Sequence, residues 1–246
     1  MNVASQAFRF RLWIYLVVYV LGFTAPWDLA LHLDGTGPNS HVWGQLAVML
    51  SRDGAMSISA AFNLILAVGI VCAFAGAWMR TWGSAYLSVE VMGDAKLRAD
   101  EVVAAGPYAH VRNPLYLGTW LNTLALALLM PPSGAVFTIV VVVAFQIHLI
   151  LREETYLRGQ LGEAYAAYCA RVPRLLPALR AQVAASGEAP RWGQAAVAEI
   201  FMWGTAVSFA ALGWRYDAHL LIQCVLVWLG VSLVVKGLGQ AAGSGR

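Results

Sequence analysis

Residues 58 to 79 contain no charged side chain, and a run of that length is enough to cross the hydrocarbon core of a bilayer as a helix. Further apolar runs of spanning or near-spanning length lie at 12 to 33, 115 to 130, 135 to 151, 195 to 213 and 219 to 236. The expected fold is therefore all-α: a polytopic membrane protein with about six transmembrane helices. Composition agrees, with 60% hydrophobic and 12% charged residues, where an ordinary soluble domain has about a quarter charged. The third and fourth runs are short, and Pro131-Pro132-Ser133-Gly134 between them reads as the turn of a tight helical hairpin. Residues 41 to 51 are expected as a surface helix. Pro26 and Asp28 make the outer end of the first run irregular or interfacial.

The distribution of basic residues sets an orientation. With the N-terminus inside, fourteen of the 16 Lys and Arg fall on the cytoplasmic side, and only Arg52 and Arg215 fall outside. Both termini are then cytoplasmic. The net charge of +3 expresses this bias and points to no nucleic-acid partner. The first run reads as an anchor and not a removable signal, since no small-residue cleavage site follows it. Cys72 and Cys224 lie within runs and Cys169 on the reducing side, so neither a disulfide framework nor a metal site is expected.

Two polar segments flank the hairpin. The first ends in Gly106-Pro-Tyr-Ala-His-Val-Arg-Asn-Pro-Leu-Tyr-Leu-Gly118. Pro107 and Pro114 fix their own φ and push the preceding residues away from helix, which shapes an extended loop at the mouth of a span. Tyr108, His110, Arg112, Asn113 and Tyr116 give it donors, acceptors and one permanent charge. The second opens with Arg152-Glu153-Glu154 and runs through Gly162, Tyr165 and Tyr168 to Val172-Pro173-Arg174. Glu153, Glu154, Leu157, Tyr165 and Tyr168 follow at roughly helical spacing, as in a helix emerging from the membrane. A short hairpin makes the start of one span and the end of the next neighbours, so both segments are expected to share one site.

The chemistry of that site reads in two ways. A carboxylate at Glu153 or Glu154 can accept ribose hydroxyls or pair with an amino group or sulfonium, Arg112 can bind a carboxylate with both arms, and Tyr108 and Tyr116 can lie on an aromatic base or near a sulfonium. An amino-acid-bearing nucleoside would use all of these together. Equally, Arg112 with Glu153 or Glu154 is a charge pair at a helix mouth, the tyrosines are interfacial belt residues, and Arg174 snorkels to headgroups. His148 and Glu199, ionisable groups inside runs, face either a cavity or a hydrogen-bonding neighbour. His110 and His219 read as surface residues, and Trp78, Trp82, Trp192, Trp203 and Trp214 as interface anchors.

At these motifs the chain resembles the isoprenylcysteine carboxyl methyltransferase and phospholipid methyltransferase superfamily of integral membrane enzymes. The resemblance covers about residues 58 to 178. Its specific parts are Gly106-Pro107-Tyr108, Val111 to Gly118, Glu153-Glu154, Leu157, Gly162, Tyr165, Tyr168 and Val172-Pro173-Arg174. It implies S-adenosylmethionine as methyl donor, bound from the cytoplasm, and a lipophilic acceptor entering from the bilayer. By position, it places cofactor contacts on Asp100, Glu101, Val102, Val103, Tyr108, Asn113, Pro114, Leu115, Tyr116 and Glu153, with Arg112 and Glu154 in the same shell. Two positions depart from the family pattern. Asn113 stands where the family commonly has histidine, and Leu149 where the prenylcysteine enzymes place an arginine that meets the substrate carboxylate. His148 is the nearest polar alternative there.

The expected activity is methyl transfer to an amphiphilic acceptor, with Arg112, His148 and Glu154 as catalytic candidates. His148 or Glu154 would take a proton if the nucleophile is an amine or thiol. The alternatives are a nicotinamide-dependent membrane reductase of the steroid 5α-reductase type and a non-catalytic lipid-binding protein. The expected organisation is an N-terminal span and outer loop over 1 to 57, a core over 58 to 178, a linker over 179 to 194 and a two-helix extension over 195 to 246.

Overall fold

The computed structural model of the chain describes residues 3–25, 27, 41–52, 54, 56–87, 104–184 and 189–243, and helix is the only regular secondary structure among them. The helices are α1 (Val3–Thr24), α2 (Val42–Ser51), α3 (Ile58–Tyr86), α4 (Pro114–Ala127), α5 (Pro132–Arg171), α6 (Trp192–Ala198), α7 (Ile200–Leu212) and α8 (Ala218–Gly243). A 3-10 turn at Gly106–Ala109 precedes α4, and another at Gly213–Arg215 follows α7. The expected surface helix over 41 to 51 is present as α2.

Among the described residues three helices are long and apolar enough to cross a membrane: α3, α5 and the Ala218–Leu238 part of α8. The α6–α7 pair makes a fourth candidate, bent by 69°. The expected count of six is thus not confirmed by length. The clearest shortfall is α4, whose 14 residues rise about 21 Å against a hydrocarbon core of about 30 Å. Pro114 occupies its first turn, and Leu128–Met130 leave the helix before Pro131. The hairpin turn also sits earlier than expected. Pro132 opens α5, so Ser133 and Gly134 are helical, because a proline at a first helical position loses no intrahelical hydrogen bond.

Helix α5 extends far beyond the apolar run from which it was expected, covering 40 residues to Arg171. It breaks once, at Gly162, with φ 52° and ψ −127°. Only glycine adopts such a backbone without strain. The break folds the last turns back, so that Tyr165, Tyr168 and Val172 pack with Ala104, Leu157, Leu161 and Val183.

The core of the bundle is the close crossing of α3 and α4. A Cβ on Gly76 would lie 2.7 Å from the carbonyl oxygen of Gly118, and one on Gly118 would lie 2.8 Å from that of Gly76. Where lipid replaces water, such backbone proximity supplies the packing that holds helices together. Gly76→Leu is therefore expected to separate α3 from α4 and lower the melting temperature in detergent, at a cost of about 3 kcal/mol or more. Gly159→Leu, at an exposed position with nothing within 4 Å, should leave it unchanged.

The two ends of the bundle differ in character. At one end the N–H groups of Val42 and Trp43 donate to the carbonyls of Met130 and Leu128. There the indole of Trp43 donates to Phe62 O at 3.0 Å, and Tyr216 donates to Asn63 at 2.7 Å. The other end gathers the charged groups, and it is where the candidate site lies.

Candidate functional site

The proline-flanked loop and the segment after α5 are hydrogen-bonded together along their length. The Arg112 N–H donates to Pro173 O at 2.9 Å, the Ala178 N–H to His110 O at 2.9 Å and the Gln182 N–H to Ala109 O at 2.8 Å. Tyr168 donates its hydroxyl to Tyr108 O at 2.8 Å. Asn113, just ahead of α4, donates its amide to Arg174 O at 3.2 Å. Residues 178 to 182 are thus a strap laid along the loop. His110 is partly buried in this arrangement, its Nδ1 2.9 Å from Ala178 O, and is not simply a surface residue.

A buried carboxylate joins the two segments electrostatically. Glu154 Oε1 accepts from Arg112 Nη1 at 3.0 Å and from Arg174 Nε at 3.1 Å, while its Oε2 accepts from Arg174 Nη2 at 2.8 Å. The side chains of Arg112 and Glu154 are 11% and 7% exposed, whereas Arg174 is 45% exposed. Of the two carboxylates open as partners for Arg112, the structure selects Glu154. Arg174 is the second partner of that carboxylate and no mere headgroup anchor. The hydrogen bonds to Glu154 hold the Arg174 guanidinium above its usual range. Arg112 Nη1 also lies 3.1 Å from Cys169 Sγ, while its Nε is buried without a partner.

Glu153 points elsewhere. It lies beside Tyr116 in the first turn of α4, with Arg11 of α1 within electrostatic reach of both. Neighbouring carboxylates therefore have separate tasks: Glu154 locks the loop to the strap, and Glu153 faces the mouth formed with α1 and α4. Tyr108 is buried, and burial pushes its hydroxyl well above the ordinary tyrosine range. Pro114 is buried at the start of α4, and the Leu115 carbonyl accepts from Thr119 at 3.0 Å and Arg80 Nη1 at 3.3 Å.

His148 projects from the opposite, exposed flank of α5 to the stripe made by Gln146, Leu149, Ile150 and Glu153. It is not gathered with Arg112 and Glu154. Asp100, Glu101, Val102 and Val103 lie outside the described residues. Beside Ala104 an open recess of about 230 Å³ is lined by Ala104, Ala164, Ala167, Tyr168, Arg171 and Val183.

Beneath the mouth lies an ion pair whose partners are far apart in sequence. Glu199 sits at the break between α6 and α7, and its carboxylate accepts from Arg80 Nε at 2.6 Å, Arg80 Nη2 at 2.9 Å and the Ser84 hydroxyl at 2.8 Å. Arg80 Nη1 donates to Thr119 at 2.8 Å. Of the two readings open for Glu199, the hydrogen-bonded neighbour is what the structure holds. Helix α6 is further tied to α3 through Arg191 N–H to Ala85 O at 2.8 Å and the stacked rings of Trp78 and Trp192.

The profile of the phospholipid methyltransferase family matches residues 64–164. This part of the chain is similar to that membrane methyltransferase family. The match runs from α3 through the loop and hairpin to just past the break at Gly162, so it contains Arg112, Glu153 and Glu154, while Arg174, the strap and α6 to α8 lie beyond it. No curated protein and no solved structure matches the chain. The family match and the apolar helices together fit a methyltransferase-type integral membrane protein.

Of the residues that shape this end, sequence reasoning gave no role to Arg11, Tyr15, Arg80 and Gln146. Arg80 carried a signal as a charge at the end of an apolar run. The partner Glu199 was visible too, but nothing local joins positions 119 residues apart.

Proposed function

We propose that this protein transfers a methyl group from S-adenosylmethionine to a lipophilic or amphiphilic acceptor, at the cytoplasmic face of a membrane. The observation that carries the reading is the pairing of the proline-flanked loop with consecutive glutamates across one hairpin, inside the region matched to a methyltransferase family.

The residues suit that donor. Glu153 offers a carboxylate beside Tyr116 for hydroxyl or amino groups, Arg112 Nε is a buried donor without a partner, and Tyr108 and the alanine-lined recess provide apolar walls. S-Adenosylmethionine supplies a methyl group already activated on a cationic sulfur. The protein's task is then approach and alignment, which contribute several kcal/mol when the geometry is held. Glu153 and Tyr116 orient polar groups at the mouth. Arg112, Glu154 and Arg174 fix the loop that forms one wall, and the apolar flanks of α1 and α5 admit an acceptor from the bilayer. Fourteen of the 16 basic residues support placing this end in the cytoplasm.

The test uses purified protein, methyl-labelled S-adenosylmethionine and a membrane lipid extract, with labelled product identified by mass spectrometry. Label is expected in an organic-phase product, and Glu153→Ala should slow its formation on the order of 100-fold through lost alignment. A folded wild-type protein that transfers no label, or equal rates in the variant, would count against the proposal.

A further inference from the structure

Three helices turn polar stripes toward one another inside the bundle. On α1 the stripe is Arg11, Tyr15 and Tyr19, spaced four residues apart so that they share a face. On α4 it is Tyr116, Thr119 and Thr123, and on α5 it is Gln146 and Glu153. Tyr19 and Thr123 hydrogen-bond to each other at 2.6 Å. Tyr15 lies beside Gln146, with its ring 5.6 Å from that of Phe145, and within electrostatic reach of Arg11 and Glu153. These groups form a continuous seam from the Glu153 mouth into the apolar interior.

One member of the seam is unsatisfied. Gln146 is completely buried; the Tyr15 hydroxyl faces its amide, but neither the amide nitrogen nor the amide oxygen makes a hydrogen bond of good geometry. Folded proteins rarely leave even one such atom unmet, because a buried polar group without a partner keeps the full cost of its lost water. Here both ends of one amide are unmet, at a depth where hydrocarbon replaces water. The seam opens toward the mouth at which the methyl group would be delivered.

We infer that this seam is a binding site for the neutral hydroxyl group of a lipophilic acceptor, with Gln146 as the residue that selects it. Naming the ligand an acceptor rests on the methyl-transfer reading; the hydroxyl chemistry does not. A hydroxyl both donates and accepts, so it satisfies an amide at either end. An ammonium has only donors and leaves the amide nitrogen unmet. A carboxylate or phosphate has only acceptors and leaves the amide oxygen unmet, and Leu149, buried on the same side of α5, adds no cation. Arg11 and Glu153 lie within electrostatic reach of each other at the entrance, so charges of both signs face an incoming ion. Arg11, Tyr15 and Tyr19 precede the family-matched residues 64–164, so this side of the site is the chain's own.

The experiment photolabels the full-length protein in nanodiscs with diazirine-bearing hexadecanol, its alkane counterpart and its trimethylammonium counterpart. The alcohol is expected to label peptides containing Tyr15 and Gln146 roughly five- to tenfold above the other two probes, the worth of one buried hydrogen bond. Gln146→Leu should reduce alcohol labelling to the alkane level without lowering the melting temperature, since it removes an unpaired amide. Equal labelling by the three probes, unchanged alcohol labelling in Gln146→Leu, or a lowered melting temperature in that variant would each overturn the inference, the last by showing the amide to be paired within the fold. Stabilisation by S-adenosylhomocysteine, measured on the same samples, separates the two ideas. Its absence from wild-type protein that still prefers the alcohol removes the methyl-transfer reading alone, and its presence in both proteins with no alcohol preference removes the hydroxyl site alone.

Discussion

Glu154→Gln is expected to lower stability by about 3 kcal/mol and to abolish measurable binding of S-adenosylhomocysteine. Glu154 neutralises Arg112 and grips Arg174 through both oxygens. Removing one partner of a buried pair leaves the other charge uncompensated, which costs about 3–5 kcal/mol, and the exposure of Arg174 places this case at the lower end. The functional loss follows from what the charges connect. Arg112 stands in the loop and Arg174 in the segment leading to the strap, so without the carboxylate the two guanidinium groups repel and Tyr108 and Asn113 lose their setting. Arg174→Gln is the milder change: Glu154 keeps Arg112, and binding should weaken without disappearing. Melting curves with and without S-adenosylhomocysteine for both variants check the order of effects.

The second large effect concerns the C-terminal helices. Arg80→Leu strands Glu199, whose side chain is 5% exposed at the break between α6 and α7, and should cost about 3–5 kcal/mol. Helices α6 to α8 would then detach from α3 at their polar end. The double variant Arg80→Leu/Glu199→Leu is expected to regain most of that loss, because two packed apolar side chains replace a buried ion pair at little net cost. Recovery in melting temperature would show that the pair gives orientation more than stability. The same arginine holds Leu115 O and Thr119 in the first turns of α4, so the double variant should recover stability before it recovers methyl transfer.

Much of this site was legible in the sequence because it rests on short connections. Pro107 and Pro114 announce a shaped loop, Pro131 and Pro132 announce a hairpin, and antiparallel geometry then obliges Arg112 to approach Glu153 and Glu154. Which carboxylate it meets was not legible, since adjacent helical residues differ by about 100° in direction and only packing decides between them. Arg174 was ambiguous for a related reason. It reaches Glu154 only because the chain reverses at Gly162, and a positive φ is a property of the folded backbone that the presence of glycine permits without requiring. Glu199 and Arg80 were each visible as charges within or beside apolar runs, but their pairing depends on how α6 and α7 pack on α3. The span count is not confirmed at α4, where an apolar sequence is cut short at both ends by prolines and by the turn before α5. His148 was singled out because it is ionisable and lies in an apolar run, yet helical phase sets it opposite the buried face of α5.

The measurement that bears most directly on a methyl donor held between the loop and α5 is the thermal stability of the purified protein with S-adenosylhomocysteine and, separately, with NADPH. S-Adenosylhomocysteine is expected to raise the melting temperature of the wild type and leave that of Glu153→Ala nearly unmoved, with no response of either to NADPH. Stabilisation by NADPH alone would point to a reductase and contradict the account, and so would a well-folded wild type that responds to neither ligand.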